Sequence, residues 1–417
     1  MAVLAGVVLS LAAGCERGGD SRVLPDPPEP VALETPAGAG SAEPHVASTS
    51  DGGVLLSWVE ASDSGHALRF SALRGTRWEG ARTIAHGSDW FINWADFPSL
   101  IALDDGSLAA HWLQRNGDGT YAYGVRIARS RDGGRTWGAA VTPHRDESPA
   151  EHGFVTLYDA GEGRIGAVWL DGRKFAQGND EMTLRHATID DAGTLGDEVE
   201  LDARTCDCCQ TSVVRTSGGG VVAFYRDRSN AEVRDIAAVR LDGASWSEPQ
   251  RIHADEWHID ACPVNGPQAD THAGRIAIAW FTGANDEPRV YTAFSDDDGR
   301  TFGEPIRIDD GMPGGRVDLV MLEDGSALVA WLERMNETAE VRLRRVAADG
   351  ARSGATTVAR TAEQRASGFP RMARAGSRVV IAWTAPGAQR GATRSSATDA
   401  PPSRVHTALV DLAADRD

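Results

Sequence analysis

Residues Gly315 to Arg334 read GRVDLVMLEDGSALVAWLER. Two apolar runs, Val317–Leu322 and Ala327–Leu332, flank the turn sequence Glu323-Asp324-Gly325-Ser326. Glycine there allows a positive φ, and Asp and Ser bond nearby N–H groups, so the stretch predicts a β-hairpin. The second run carries Trp331 near its end. The same pattern recurs as PHVASTSDGGVLLSWVE from Pro44, FPSLIALDDGSLAAHWLQR from Phe97 and HGFVTLYDAGEGRIGAVWLDGR from His152. It continues as CCQTSVVRTSGGGVVAFYRDR from Cys208, VNGPQADTHAGRIAIAWFTG from Val264 and FPRMARAGSRVVIAWTAPG from Phe369. The anchoring aromatics Trp58, Trp112, Trp169, Tyr225, Trp280, Trp331 and Trp383 are spaced by 54, 57, 56, 55, 51 and 52 residues. A fixed period of that length marks a repeat architecture.

Each unit has room for four strands. Third strands such as HALRFSALR, YGVRIARS, MTLRHATI and RVYTAFS alternate apolar with polar residues, as half-buried strands do. Fourth strands include ARTIA, AAVTP, EVELD, PQRIH, PIRID and ATTVA. The seventh unit lacks a clear fourth strand, and a matching piece, Val31-Ala32-Leu33-Glu34, precedes the first. An N-terminal strand that completes the last sheet closes a ring and hides its edges. The fold expected is an all-β propeller of four-stranded blades over residues 44–417, with a closing strand at about 31–34. Seven blades are favoured, with six as the alternative if a terminal unit is irregular.

The 417 residues are 41% hydrophobic and 24% charged, a globular composition. The net charge of −18 excludes the basic footprint that a nucleic-acid partner requires. Residues 1–14, MAVLAGVVLSLAAG, form an apolar run too short to span a bilayer and suited to a secretory signal. Leu11-Ala12-Ala13-Gly14-Cys15 resembles the lipobox of bacterial lipoproteins, which implies lipidation of Cys15. Residues 15–43, rich in Pro, Gly, Ala and Glu, read as the lipidated cysteine and a flexible tether. The expected setting is therefore a bacterial cell envelope, periplasmic or cell-surface, with a membrane contact through the anchor.

Ser130-Arg131-Asp132-Gly133-Gly134-Arg135-Thr136-Trp137 and Ser295-Asp296-Asp297-Asp298-Gly299-Arg300-Thr301-Phe302 share the pattern S-x-D-x-G-x-T-[WF]. They fall between strands three and four of units two and five. This pattern resembles the Asp-box, or BNR repeat, of the sialidase-like propeller family. The segments CDCCQTS, ACPVNGP and WFINWADFPSL are similar to parts of exported sialidase-like proteins. The resemblance implies that the Asp-box turns face away from the site. Functional groups then gather on the opposite face, in the loops that lead into strand one and that join strands two and three.

Sialidases place three arginines on a substrate carboxylate, with an Asp as acid/base and a Tyr–Glu nucleophile pair. Carried over here, the catalytic candidates are Tyr225, Asp96 and Asp260. Tyr225 is read as the only tyrosine at a suitable strand end, although its neighbours are Arg226 and Asp227 rather than a Glu, and no Arg-Ile-Pro segment occurs early in the chain. Arg173, Arg226, Arg316 and Arg371 offer an arginine set, with Trp94, His152 and Asp227 as further ligand contacts. Each has a structural reading as well: interblade salt bridge, turn cap, or, for Trp90, Phe91 and Trp94, a plug over the channel.

Cys206, Cys208 and Cys209 lead into unit four and Cys262 into unit five, so the four are expected as neighbours. In an oxidising compartment two disulfides are the favoured expectation. A thiolate site for copper or zinc, completed by His152 or His258, and a redox-active pair stay open. Three functions follow. The first is an envelope propeller that binds a glycan or other acidic small-molecule ligand. The alternatives are an exo-acting sialidase-type glycoside hydrolase and a thiolate metal-binding protein.

Overall fold

A computed structural model describes residues 23–336, 338–362, 364–387 and 402–413. The signal peptide expected over 1–14 and the lipidation residue Cys15 lie outside the described residues. Seven antiparallel sheets form the blades of a propeller. Four strands of blade 6, for example, run Pro313–Met321, Ala327–Met335, Thr338–Val346 and Thr356–Ala362 in sequence order. The anchoring aromatics lie between blades: Trp58, Trp169, Trp280 and Trp331 are fully buried. Apolar clusters formed by adjacent sheets, such as Val320, Leu328 and Leu343 with Met372, Ile381 and Ala408, hold the ring together.

Closure follows the sequence reading. Val31–Leu33 pairs with Arg404–Asp411 as the outer strand of blade 7, with Val31 opposite Leu409 and Leu33 opposite Thr407. The tether expected over 15–43 is folded from Val23 onward. Leu24 is buried, its N–H bonds the Arg352 carbonyl at 3.1 Å, and the Thr356 hydroxyl donates to the Pro27 carbonyl at 2.9 Å. Blade 2 is the irregular one. Its three strands are Ser99–Ala102, Leu108–Arg115 and Tyr123–Ser130, and the expected fourth strand meets the sheet as an isolated Ile127–Val141 bridge rather than as a paired strand.

Carboxylates fix the geometry at both ends. In the turn of blade 2, Asp132 accepts the N–H groups of Arg135 and Thr136 at 3.0 and 2.9 Å and the Thr136 hydroxyl at 2.7 Å. Asp297 repeats these contacts in blade 5. Around the channel, Asp270 and Asp318 each accept an N–H from the next blade, Met321 at 2.7 Å and Met372 at 2.6 Å. At the opposite end from the Asp turns, the tryptophan Nε1 atoms of Trp58, Trp169 and Trp331 donate to Glu60, Asp171 and Glu333, each two residues on.

Candidate functional site

The loop Trp90–Phe97, leading into blade 2, lies across the channel mouth. Trp94 stacks on Phe369 of blade 7 at 5.9 Å, and Gln210 of blade 4 donates to the Ala95 carbonyl at 2.6 Å. Trp90 stacks on Trp112 at 5.8 Å and Phe91 on Tyr123 at 3.9 Å. The plug caps an axial channel of about 410 Å³, whose lining includes Asp96, Asp270, Asp318 and Arg371. A cavity of about 640 Å³ opens beside it, lined by loops of blades 2 to 5 and by Arg365. Its walls carry Trp94, Tyr121, Phe175, Glu151, Cys208 and Cys262. Tyr121 and Phe175 project at the rim, 58% and 40% exposed.

Tyr123, the first residue of the third strand of blade 2, ends in this wall. Its hydroxyl lies 2.7 Å from Asp96 Oδ2 and 2.7 Å from Glu151 Oε1. The other Asp96 oxygen accepts the Phe154 N–H at 2.8 Å. A phenol has one proton, so two contacts this short call for a second proton, held on a carboxyl that donates back to the phenol oxygen. The electrostatics agree. Burial pushes Asp96 up to about 7 despite the hydrogen bonds from Tyr123 and Phe154. Burial, with the charges of Asp96 and Asp207, pushes Glu151 up to about 8. Burial, with the two neighbouring carboxyls, also raises the Tyr123 phenol well above its usual value. The trio is a proton-holding cluster near neutral pH, the property that general acid–base chemistry uses.

Asp96 was a sequence candidate; its partners were not. Glu151 stands beside His152 where a first strand begins, and nothing in the sequence singles it out. The expectation that Tyr225 is the sole tyrosine at a suitable strand end is corrected by Tyr123. A tyrosine immediately after a loop between strands two and three was the missed signal. Tyr225 is buried within blade 4, and its hydroxyl donates to Asp202 at 2.5 Å. Asp260 is exposed on the loop leading into blade 5.

The arginines engage separate partners. Arg173 binds Asp171 and Glu198, at 2.7 and 2.6 Å. Arg226, fully buried, donates to the carbonyls of Asn265, Arg234 and Phe281. Arg316 lies over the Trp94 ring at 4.7 Å and donates to the Gln364 and Gly368 carbonyls. Arg371 faces Asp318 at 3.5 Å in the channel. His152 is buried, stacked on His144 at 3.9 Å and 3.1 Å from Asp146 Oδ2, so it braces the loop that delivers Glu151. Asp227 accepts the Arg228 N–H, and burial, with Asp202 nearby, lifts it to about 6.

The four cysteines converge as expected, but as free thiols; no disulfide occurs among the described residues. Cys206 Sγ is 3.2 Å from Cys209 Sγ and 3.9 Å from Cys208 Sγ. Both separations exceed the ~2.05 Å of a disulfide. Sulfur from one residue thus faces two others, which pairwise bonding does not provide for. Neither histidine expected at a metal shell joins a group of potential donors among the described residues.

No family model and no curated protein matches the chain. Among solved structures, a protein of unknown function from Dyadobacter fermentans DSM 18053 is 16% identical, with a TM-score of 0.53 over 92% of this chain and 98% of that one. An ulvan lyase of polysaccharide lyase family PL25, solved bound to -[GlcA(1-4)Rha3S]-, is 13% identical, with a TM-score of 0.58 over 91% and 96%. A Hadza microbial sialidase is 15% identical, with a TM-score of 0.43 over 70% and 63%. At these identities the property shared with the first two is the propeller fold.

Proposed function

We propose that the protein binds a glycan in the off-axis cavity of its loop-rich face. The observation that carries this reading is a cavity of about 640 Å³ whose walls combine projecting aromatic rings with the carboxyls of Glu151 and Asp207. Tyr121 and Phe175 offer faces on which the C–H side of a sugar ring packs, and Glu151 and Asp207 offer partners for hydroxyls. Arg365 at the rim is the cationic group that an acidic sugar would meet. The ulvan lyase, solved bound to -[GlcA(1-4)Rha3S]-, is a glycan-binding protein on a similar fold. An export signal at 1–14 and lipidation at Cys15 set the protein in a cell envelope. Incorporation of labelled fatty acid, lost in Cys15→Ser, tests that placement.

One observation favours a second reading, a sialidase-type hydrolase: Tyr123 joins a Glu and an Asp, the residue types such an enzyme uses as nucleophile, base and acid. Against it, the candidate arginines have other partners.

The experiment is a calorimetric screen of neutral and acidic oligosaccharides, followed by Tyr121→Ala and Phe175→Ala. Loss of an aromatic platform weakens binding roughly two- to twelvefold in each, since such contacts contribute about 0.5–1.5 kcal/mol. A panel that binds nowhere, or binds equally in both variants, overturns the proposal. Turnover of a fluorogenic sialoside or another acidic glycoside, abolished in Tyr123→Phe, would establish the hydrolase.

A further inference from the structure

We propose that Cys206, Cys208 and Cys209, with Cys262 as the fourth donor, bind a thiophilic d¹⁰ cation, zinc(II) or copper(I), in the wall of this cavity. Tetrahedral coordination with Zn–S near 2.3 Å places sulfurs roughly 3.8 Å apart. The Sγ atoms of Cys206, Cys208 and Cys209 all lie within 4.8 Å of one another, with Cys206 and Cys208 at 3.9 Å. The Cys262 sulfur lies within the same 4.8 Å of Cys208 Sγ and of an Asp207 carboxylate oxygen. Cys208 is common to both groups, so Cys262 borders the site that Cys206, Cys208 and Cys209 form. One ion satisfies several converging sulfurs at once, whereas a disulfide between any two leaves the others beside it.

The backbone that presents these thiols is fixed by contacts unrelated to sulfur. The Cys206 N–H bonds the Arg226 carbonyl at 3.0 Å. The Arg226 guanidinium holds the Asn265 and Phe281 carbonyls of blade 5, tying the Cys206 loop to the neighbourhood of Cys262. Gln210 Oε1 accepts the Gly266 N–H at 3.0 Å. The outer shell is cationic. Arg234 Nη1 lies 3.4 Å from Cys206 Sγ and 3.1 Å from Asp207 Oδ1. Three or four thiolates around a mono- or divalent ion carry excess negative charge, and a guanidinium bonded to the sulfur offsets it. Cys206 and Cys209 are buried, while Cys208 and Cys262 border the cavity and give an ion its route of entry. Soft thiolate donors suit both ions.

The test uses the full chain purified anaerobically under reducing conditions. Separate samples are incubated with zinc(II) and with copper(I), freed of excess metal and analysed for metal content. One ion per chain of either metal is expected, and the metal retained identifies the ion. Retention falls at least tenfold in Cys206→Ser and Cys208→Ser and by a smaller factor in Cys262→Ser. Cobalt(II) in the parent protein gives sulfur-to-metal charge-transfer absorption, a readout that does not depend on how the variants fold. A reduced parent that takes up none of the three metals overturns the proposal. So does peptide mapping that finds Cys206 joined to Cys209, or Cys208 to Cys262, in protein recovered from exporting cells. Neither readout involves a glycan, so failure here and failure of the glycan reading are separate results.

Discussion

Tyr123 and Tyr225 occupy comparable surroundings two blades apart. Both are buried among apolar side chains of their sheets, and both hydroxyls meet a carboxyl. Tyr225 meets Asp202, which belongs to the outer strand Val199–Thr205 of blade 3. Tyr123 meets Asp96 and Glu151, neither of which belongs to a strand. They arrive on the loops leading into blades 2 and 3; Tyr123 and Glu151 line the off-axis cavity, and Asp96 lines the axial channel behind them. The repeating sheet supplies a buried tyrosine in either place. The unrepeated loops decide whether it is a packing residue or part of a proton-holding cluster.

The largest expected effect that sharpens this contrast is on stability against pH. Asp96 and Glu151 have folded values of about 7 and about 8, raised by burial from 3.8 and 4.5. The folded state therefore binds more protons than the unfolded chain between about pH 4 and 8, and stability falls as pH rises through that window. Each tenfold gain in proton affinity is worth about 1.4 kcal/mol, so the pair accounts for a decline of several kcal/mol. Other buried groups move both ways: Asp227 and Asp270 are raised by burial, whereas His111 and His144 are lowered by it. The measurement is hence a difference. Urea unfolding of the parent minus that of Asp96→Asn/Glu151→Gln shows a gap that changes steadily from pH 4 to pH 8. Asp202→Asn, at the Tyr225 site, gives a smaller change. A flat difference for the double variant would show that the two carboxyls titrate normally and that the contrast with Tyr225 is empty.

A second, somewhat smaller effect probes the packing of the cluster. A Cβ added at Gly153 would lie 1.9 Å from Asp96 Oδ2 and 2.8 Å from the Tyr123 hydroxyl. Asp96 is pinned by the Phe154 N–H, so it moves only by giving up that bond. Gly153→Ala is expected to cost about 3 kcal/mol, the upper range for overpacking a filled interior. Gly138→Ala, whose Cβ would meet the Arg129 carbonyl at an ordinary 3.5 Å, is expected to stay within about 0.5 kcal/mol of the parent. Equal midpoints in urea for the two variants would mean that the loop at Gly153 yields freely.

The same division makes Tyr225 legible in the sequence and Tyr123 not. Trp58, Trp169, Trp280 and Trp331 repeat because every blade buries the same surface against its neighbour, so spacing alone exposed the ring and its closure by Val31–Leu33. Tyr225 stands in that register and drew attention for it. The convergence of Cys206, Cys208, Cys209 and Cys262 was legible because the register placed their loops side by side. Asp96, Tyr123 and Glu151 come together through the conformation of the loops that lead into blades 2 and 3, and no period encodes which side chains meet there. The arginines misled for a related reason. Arg173 and Arg226 lie at the expected end of their blades, but local carboxylates and carbonyls, invisible in a linear reading, already occupy them.

The smallest expected effect separates the two hydroxyls themselves. Tyr225→Phe removes one hydrogen bond to a half-buried carboxyl, a loss of about 1 kcal/mol. Burial already raises Asp202 against the hydrogen bond from Tyr225, so removing the bond lifts it further. Tyr123→Phe removes a hydroxyl shared by two carboxyls. It leaves Asp96 and Glu151 to hold their proton without the bridging oxygen, and both titrate at still higher pH. The unfolding free energies of the two variants therefore differ little at acidic pH, where Asp96, Glu151 and Asp202 are all protonated, and diverge as pH rises. Parallel pH profiles for Tyr123→Phe and Tyr225→Phe would mean that the two-carboxyl bridge has no consequence beyond one ordinary hydrogen bond, and the distinction drawn between the two tyrosines would fail.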